Sequence, residues 1–254
     1  MTQLSAIVIT KNEAANIGAC LDSLAFCGER IVVDCGSTDD TVAIARQKGA
    51  RVEFHEWSGF GPQKNYALSF ASGTWVLSLD ADERVSPELA AAIGDAIAAG
   101  DADGWEFPRL SEFCGRQIRH SGWYPDYVLR LFRRGKARFD DAIVHERVIC
   151  EGAVKRLRPP LIHFAMPTLE DALSRVDRYS TAKAQMLVAA GRRVTFMTGI
   201  GHGLFSFLRA YVLRGGFLDG AQGFLLAVVS AETSYYPYMK AWLAMRKRDE
   251  QCQN

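Results

Sequence analysis

Four short strand-like runs, each followed by a helical pattern, fill the first hundred residues and limit what this chain can fold into. LSAIVIT (4–10) is apolar and β-branched, as a strand buried on both faces requires, and it runs into polar residues. After it, Ile17, Leu21 and Leu24 fall on one helical face. RIVVDCGS (30–37) reads as a second strand. Ser37 with Asp40 then forms a capping-box pattern ahead of DTVAIARQKG, which Gly49 closes. RVEF (51–54) is a third strand, and the next helix has Pro62 near its start and Gly73 just past its end. TWVLSLD (74–80) is the fourth, and Ser86–Pro87 opens a helix that Gly100 ends. This alternation predicts an α/β fold with a mostly parallel sheet and helices on both faces. Right-handed crossovers bring the strands' carboxyl ends to one edge, where such sheets bind ligands.

The pattern then changes twice. From about 105 to 165 the segments WEFPRL, HSGWYPDYVLRLFRRG, AIVHERV and LIHF predict a smaller, more antiparallel extension of the same domain. After Pro167 the chain reads as helical to its end. We therefore expect one domain over 1–165, with halves at 1–104 and 105–165, and a helical region over 166–254. With 254 residues, 48% of them apolar, the chain can bury a sizeable core. A net charge of +1 supplies no global field for nucleic acid, and none is expected as a partner. Six cysteines without a C-x-x-C pair fit reduced thiols better than a disulfide framework or a zinc site. LSAIVIT starts too early to leave room for a signal peptide, and no uninterrupted apolar run reaches the length of a membrane span. The expected location is the cytoplasm.

Polar residues gather at the strand ends. The first strand ends at Thr10 with Lys11, Asn12 and Glu13 next, the second at Asp34 and the fourth at Asp80 with Asp82 two residues on. Singly, each acid reads as a turn or cap residue. Together on one edge they would repel, and raise one another's pKa, unless a cation sat between them. Oxygen ligands with no Cys/His cluster point to magnesium or manganese, shared with a phosphorylated ligand. No G-x-x-x-x-G-K-[ST] loop and no G-x-G-x-x-G fingerprint is present, which disfavours NTPase and dinucleotide readings.

AIVITKNEAANIGACLDSL, IVVDCGSTDDT, GPQKNYAL and WVLSLDADE resemble, in order and spacing, the family 2 glycosyltransferases of the GT-A fold. GWYPDYVLRLFRRGKARF, VHERV and LIHF narrow the resemblance to bacterial lipopolysaccharide core β-1,4-glucosyltransferases. Cys35 stands where a family variant has a second aspartate, and the Q-x-x-R-W signature of processive synthases is missing, which favours transfer of a single sugar.

The resemblance implies a metal-dependent, inverting hexosyltransferase that moves glucose from UDP-glucose to a lipopolysaccharide inner-core heptose. Alternatives are a polyprenyl-linked or capsule precursor as acceptor, a nucleotidyltransferase, or a non-catalytic nucleotide-sugar-binding protein. By likeness, Thr10, Glu13, Asp34, Lys64 and Asp80 hold the nucleotide, with a solvated helix-face charge as the alternative for Lys64. Asp82 and His163 would hold Mg2+ or Mn2+, His163 being otherwise a structural histidine. Glu146 in VHERV is the implied general base, and His145 either orients the acceptor or is structural. Trp123, Tyr124 and Asp126 form an acceptor platform or belong to the core. Arg130 and its neighbouring arginines meet acceptor phosphates or line a solvated strand edge. Glu83 is either a supporting acid or a charge of the turn before the helix, and stands outside the ligand set.

Residues 195–245 combine apolar stretches with Arg209, Arg214 and Lys240, and Phe205, Leu208, Tyr211 and Val212 share a helical face. Such helices can lie on an anionic membrane surface, here the cytoplasmic face of the inner membrane. The alternatives are a lid or a dimer interface.

Overall fold

The computed structural model describes the backbone of residues 3–140 and 147–252, and side chains as far as 247. The chain divides into two compact units, residues 1–110 with 126–163, and residues 111–125 with 164–254.

The first unit opens with Leu4–Thr10 (β1), Ile17–Ser23 (α1), Glu29–Asp34 (β2), Thr41–Gln47 (α2), Arg51–Phe54 (β3), Phe60–Ser69 (α3) and Trp75–Asp80 (β4). Glu83–Val85 (β5), Pro87–Ala99 (α4) and Gly104–Phe113 (β6) follow. The short Arg116–Gln117 (β7) precedes Asp126–Arg133 (β8), Ala137–Phe139 (β9), Val148–Cys150 (β10), Val154–Arg156 (β11) and Leu161–Met166 (β12). Parallel pairing joins β3 to β2, β2 to β1 and β1 to β4. From β4 the pairing becomes antiparallel, to β8 and then to β6. The expected α/β architecture, parallel first and antiparallel after, is the one observed.

All seven residues of β1 are buried because its two faces feed two cores. Leu4, Ala6 and Val8 pack with Ile17 and Leu21 of α1 and Leu89 and Ile93 of α4. Ile7 and Ile9 face the other way, onto Ala67 of α3, Phe132 and Phe139. Alternation on a strand covered from both sides leaves no polar face, which is why LSAIVIT carries so little polarity.

Three local expectations change. Ser37 does not cap α2; its hydroxyl turns back to the Asp34 carboxylate, and Asp40 occupies the cap position without a side-chain bond. α2 starts only at Thr41, which leaves Ser37 three residues ahead of the cap position, and the oxygen that would have accepted from the helix accepts from the Asn12 amide instead. Gly73 is needed by close approach rather than by the helix end, since a Cβ there would sit 2.9 Å from the Ser5 nitrogen. The stretch after Asp80 is not only a turn: β5 pairs antiparallel with β12, with His163 opposite Glu83. Ser86 and Gly100 behave as expected, the first accepting from the Leu89 amide and the second left-handed at φ 61°.

The second unit contains Leu169–Ala189 (α5), Phe196–Leu208 (α6) and Gly220–Cys252 (α7), with a π turn over Arg209–Leu213 and a 3-10 turn over Gly216–Asp219. Thr168 with Asp171, and Thr195 with Thr198, close capping boxes on α5 and α6. Ala172 and Val176 of α5 pack with Leu226 and Val229 of α7 around Phe113 and Ile118.

Candidate active site

The strand register brings the predicted residues to one edge. Thr10 lies opposite Asp34 on the neighbouring strand, and Asp80 lies opposite Ile9, so three strands end within one residue of each other. The loops beyond them are tied together. The Asn12 amide donates to Ser37 Oγ at 2.8 Å, and Asn12 Oδ1 accepts from the Thr38 amide at 2.8 Å. Asn12 reaches this position at φ 54°, a left-handed conformation that asparagine tolerates better than most residues. Asp34 is buried, and its Oδ2 accepts from the amides of Gly36 and Ser37, both at 2.9 Å. Thr10 Oγ1 is buried with no hydrogen-bond partner among the described residues.

Asp80 sits between two cations. Lys64 Nζ lies 2.8 Å from its Oδ1, and Arg130 Nη2 lies 2.5 Å from its Oδ2. Burial alone would raise the Asp80 pKa, but Arg130 and Lys64 overcome it and hold the carboxyl well below the usual range. The buried position of Lys64, 1% exposed, rules out the solvated helix-face reading. Arg130 departs from expectation. It is not an acceptor-facing strand-edge charge but a buried guanidinium bridging Asp80 and Glu83, the latter at 2.6 Å. A charge on β8 is held inward here by two acids, Asp80 at the end of β4 and Glu83 at the start of β5.

Glu83 is the residue that sequence reasoning undervalued. It is fully buried, accepts from Arg130, and takes the Asp80 amide on its Oε2 at 3.0 Å. Arg109 Nη1 stands 3.8 Å away. Nothing local distinguishes it from a solvated turn acid; its burial depends on β5 pairing with β12. Arg84 beside it donates to the carbonyl of Asn16 at 2.9 Å, fastening the turn to the start of α1.

Asp82 and His163 come together, with His163 Nε2 3.3 Å from Asp82 Oδ2. Two adjacent ligands about 2.1 Å from one octahedral cation would lie about 3.0 Å apart, so this pair fits the edge of a Mg2+ or Mn2+ shell. No group of three or more metal-ligating side chains occurs among the described residues, so the remaining positions would fall to water and a phosphorylated ligand. Glu13 lies on the same edge. Burial raises its pKa first, and the charges of Asp82 and Asp39 raise it further, against a hydrogen bond from Asn16.

The acceptor candidates are divided between the two units and residues outside those described. Trp123 packs edge-on to Phe113 at 6.2 Å in the core of the second unit. In the same unit the Arg119 guanidinium lies 5.8 Å from the Tyr124 ring. Asp126 belongs to the first unit and is exposed, paired with Arg109 at 2.6 Å. His145 and Glu146 lie outside the described residues.

A parallel sheet that turns antiparallel after its fourth strand, with charged side chains gathered at the carboxyl ends of β1, β2 and β4, is a GT-A-type α/β fold. The sequence places the chain within that class, since the model of glycosyl transferase family 2 matches residues 5–158. The chain belongs to that family and is a glycosyltransferase. It is 34% identical over 252 residues to the lipopolysaccharide core biosynthesis glycosyltransferase LpsC of Rhizobium meliloti (strain 1021), covering 94% of this chain and 92% of the relative. An uncharacterized glycosyltransferase of Rickettsia felis is 30% identical over 244 residues, covering 91% of this chain and 86% of the relative. Among solved structures, S. aureus TarS 1–349 in complex with UDP-GlcNAc is similar with a TM-score of 0.49 at 15% identity, over 92% of this chain and 90% of that one.

Proposed function

We propose that this enzyme transfers one glucose from UDP-glucose, with inversion, to a heptose of the lipopolysaccharide inner core, assisted by Mg2+ or Mn2+. The carrying observation is the division of labour at the strand ends: Asp80 is neutralised by Lys64 and Arg130, while Asp82 faces His163. An acid already paired with two fixed cations is poorly placed to ligate a third, which favours Asp82 and His163 for the metal and Asp80 for positioning near the nucleotide. The unpartnered Thr10 hydroxyl supports a hydrogen-bonding ligand at the same edge, and the relation to LpsC supports the acceptor class.

In this reading residues 1–104 bind the donor and 105–165 the acceptor. Thr10, Glu13 and Asp34 line the base and ribose side, and Lys64 supplies positive charge beside the phosphates. The bound cation would offset the negative charge that grows on the leaving UDP. Glu146 takes the proton from the acceptor hydroxyl as that oxygen attacks the anomeric carbon from the side opposite UDP. His145 orients the acceptor. The enzyme works peripherally on the cytoplasmic face of the inner membrane, held there by residues 166–254.

UDP release across a donor panel, with truncated lipopolysaccharide acceptors and with Mg2+, Mn2+ or chelator, tests this reading. UDP-glucose with a heptose-exposing core should be the productive pair. Glu146→Gln should lower turnover about 10²–10⁴-fold, and Asp82→Asn about 10²–10³-fold. Undiminished transfer by Glu146→Gln would remove the base assignment, and turnover indifferent to chelator would remove the metal. Transfer only to polyprenyl-linked sugars would replace the acceptor.

A further inference from the structure

Helix α6 is built inside out for a helix in water. Its side toward α7 carries Gly199 and Gly203, both buried, and the π turn that continues it buries Ala210. A Cβ at Gly203 would lie 3.1 Å from Tyr235 Cβ and 3.5 Å from the Ala231 carbonyl, so small residues let the two helices approach closely. The opposite side carries Met197, Ile200, Leu204, Phe205, Leu208 and Val212 at helical spacing, with Leu204 and Phe205 59% and 60% exposed. A helix that meets only water and a protein core turns its large apolar residues inward. Small residues inside and large apolar ones outside is the arrangement used where the surroundings are lipid.

Charge gives the second, independent observation. Between Asp177 and Asp219 the chain has no acidic residue, although acids and bases are nearly balanced overall at 29 and 30. The same interval holds Arg178, Lys183, Arg192, Arg193, Arg209 and Arg214, all exposed. None of the six forms an ion pair among the described residues. An apolar helix face within a stretch of chain that carries exposed cations and no acid is complementary to anionic headgroups above hydrocarbon.

Length decides between lying in the surface and crossing it. The helical run Phe196–Leu213, α6 with its π turn, spans about 27 Å, short of the roughly 30 Å hydrocarbon thickness. No single helix among the described residues is long and apolar enough to cross a membrane; Phe196–Leu213 and Gly216–Lys247, bent by 70°, reach that length and apolarity only as a pair, and resistance to carbonate extraction would distinguish a broken span from a surface helix. Arg209, which follows the last residue of α6 at the edge of the apolar face, can lay its stem along that face and set its guanidinium among headgroups when the helix lies flat.

We propose that the outward face of α6, continued by the π turn, is the docking surface of this enzyme for an anionic bilayer and lies in the interfacial plane. This rests on the peripheral-membrane part of the function proposed above, and it names the face and the lipid chemistry. The test is sedimentation of the full chain with phosphatidylcholine vesicles, with and without phosphatidylglycerol. Wild type should bind the mixed vesicles and be released by alkaline carbonate. Leu204→Glu/Phe205→Glu should weaken binding on the order of a hundredfold. Replacing Arg192, Arg193 and Arg209 together by Ser should cost a similar factor at low salt and less at high salt. Both variants should release UDP normally with a soluble core oligosaccharide.

Wild-type binding that neither variant changes would overturn the assignment of the face while leaving membrane association intact. Absence of wild-type binding would overturn both. Retention after carbonate would overturn the interfacial placement. A dimer that vesicles do not capture, and that the Leu204→Glu/Phe205→Glu variant dissociates, would assign the face to a second copy of the chain and overturn the proposal. Loss of UDP release by wild type would instead count against the proposed transfer reaction.

Discussion

The strand-end edge of the first unit and the outward face of α6 both hold side chains in surroundings that oppose them, and they differ in where the compensation lies. At the strand ends, acids are taken out of water, but Lys64 and Arg130 stand within hydrogen-bond distance of Asp80, and Arg130 also reaches Glu83. Along α6, large apolar side chains such as Leu204 and Phe205 are left mostly exposed. Buried charge that is paired internally belongs to a finished structure, whereas exposed apolar surface flanked by cations belongs to an interface completed from outside. The first arrangement is therefore sensitive to single substitutions, and the second is tolerant of them until its partner is supplied.

That contrast can be broken most forcefully at Arg130. Arg130→Met removes the cation shared by Asp80 and the fully buried Glu83, and should cost about 3–5 kcal/mol in urea unfolding. Loss below about 1 kcal/mol would mean that the acids are solvated rather than compensated. Next in size is Ile93→Ala on α4, where a fully buried side chain should cost about 2–5 kcal/mol. Gly203→Val on the inner side of α6 should cost about 1–3 kcal/mol through overpacking against Tyr235. The outer side should behave oppositely: Leu204→Gln should change stability by no more than about 0.5 kcal/mol without lipid.

A pH series sharpens the same contrast. The folded pKa of Asp80 lies below its unfolded value of about 3.9, so the unfolded chain binds more protons between the two. Its contribution is present above about pH 4 and is lost as the pH falls toward the folded value. Thermal melts of wild type should therefore lose stability in acid more steeply than those of Asp80→Asn. Parallel profiles would show that the two cations do not favour the carboxylate.

Legibility followed the range of the forces involved. Ser86, Pro87 and Gly100 marked α4 correctly because a cap is made within three or four residues. The sheet was readable because β1 carries apolar residues on both faces, a pattern with few competing explanations. Ser37 does not act as the expected cap because the loop after β1 comes against it and the Asn12 amide, 25 residues away, takes its acceptor oxygen. Arg130 was misplaced because its partners lie 50 and 47 residues away.

By itself, then, the sequence determined the strand–helix alternation, the sheet edge at which Thr10, Asp34 and Asp80 end, and the apolar and basic composition of the tail. Each of these follows from periodicity or from hydrogen bonds within one turn. Only the tertiary structure decided that Lys64 is buried against Asp80, that Glu83 is enclosed by the β5–β12 pair, that His163 meets Asp82, and that α6 turns its glycines inward. Charge pairing and the choice of an inner face depend on neighbours brought together by the whole chain, and no local pattern specifies them.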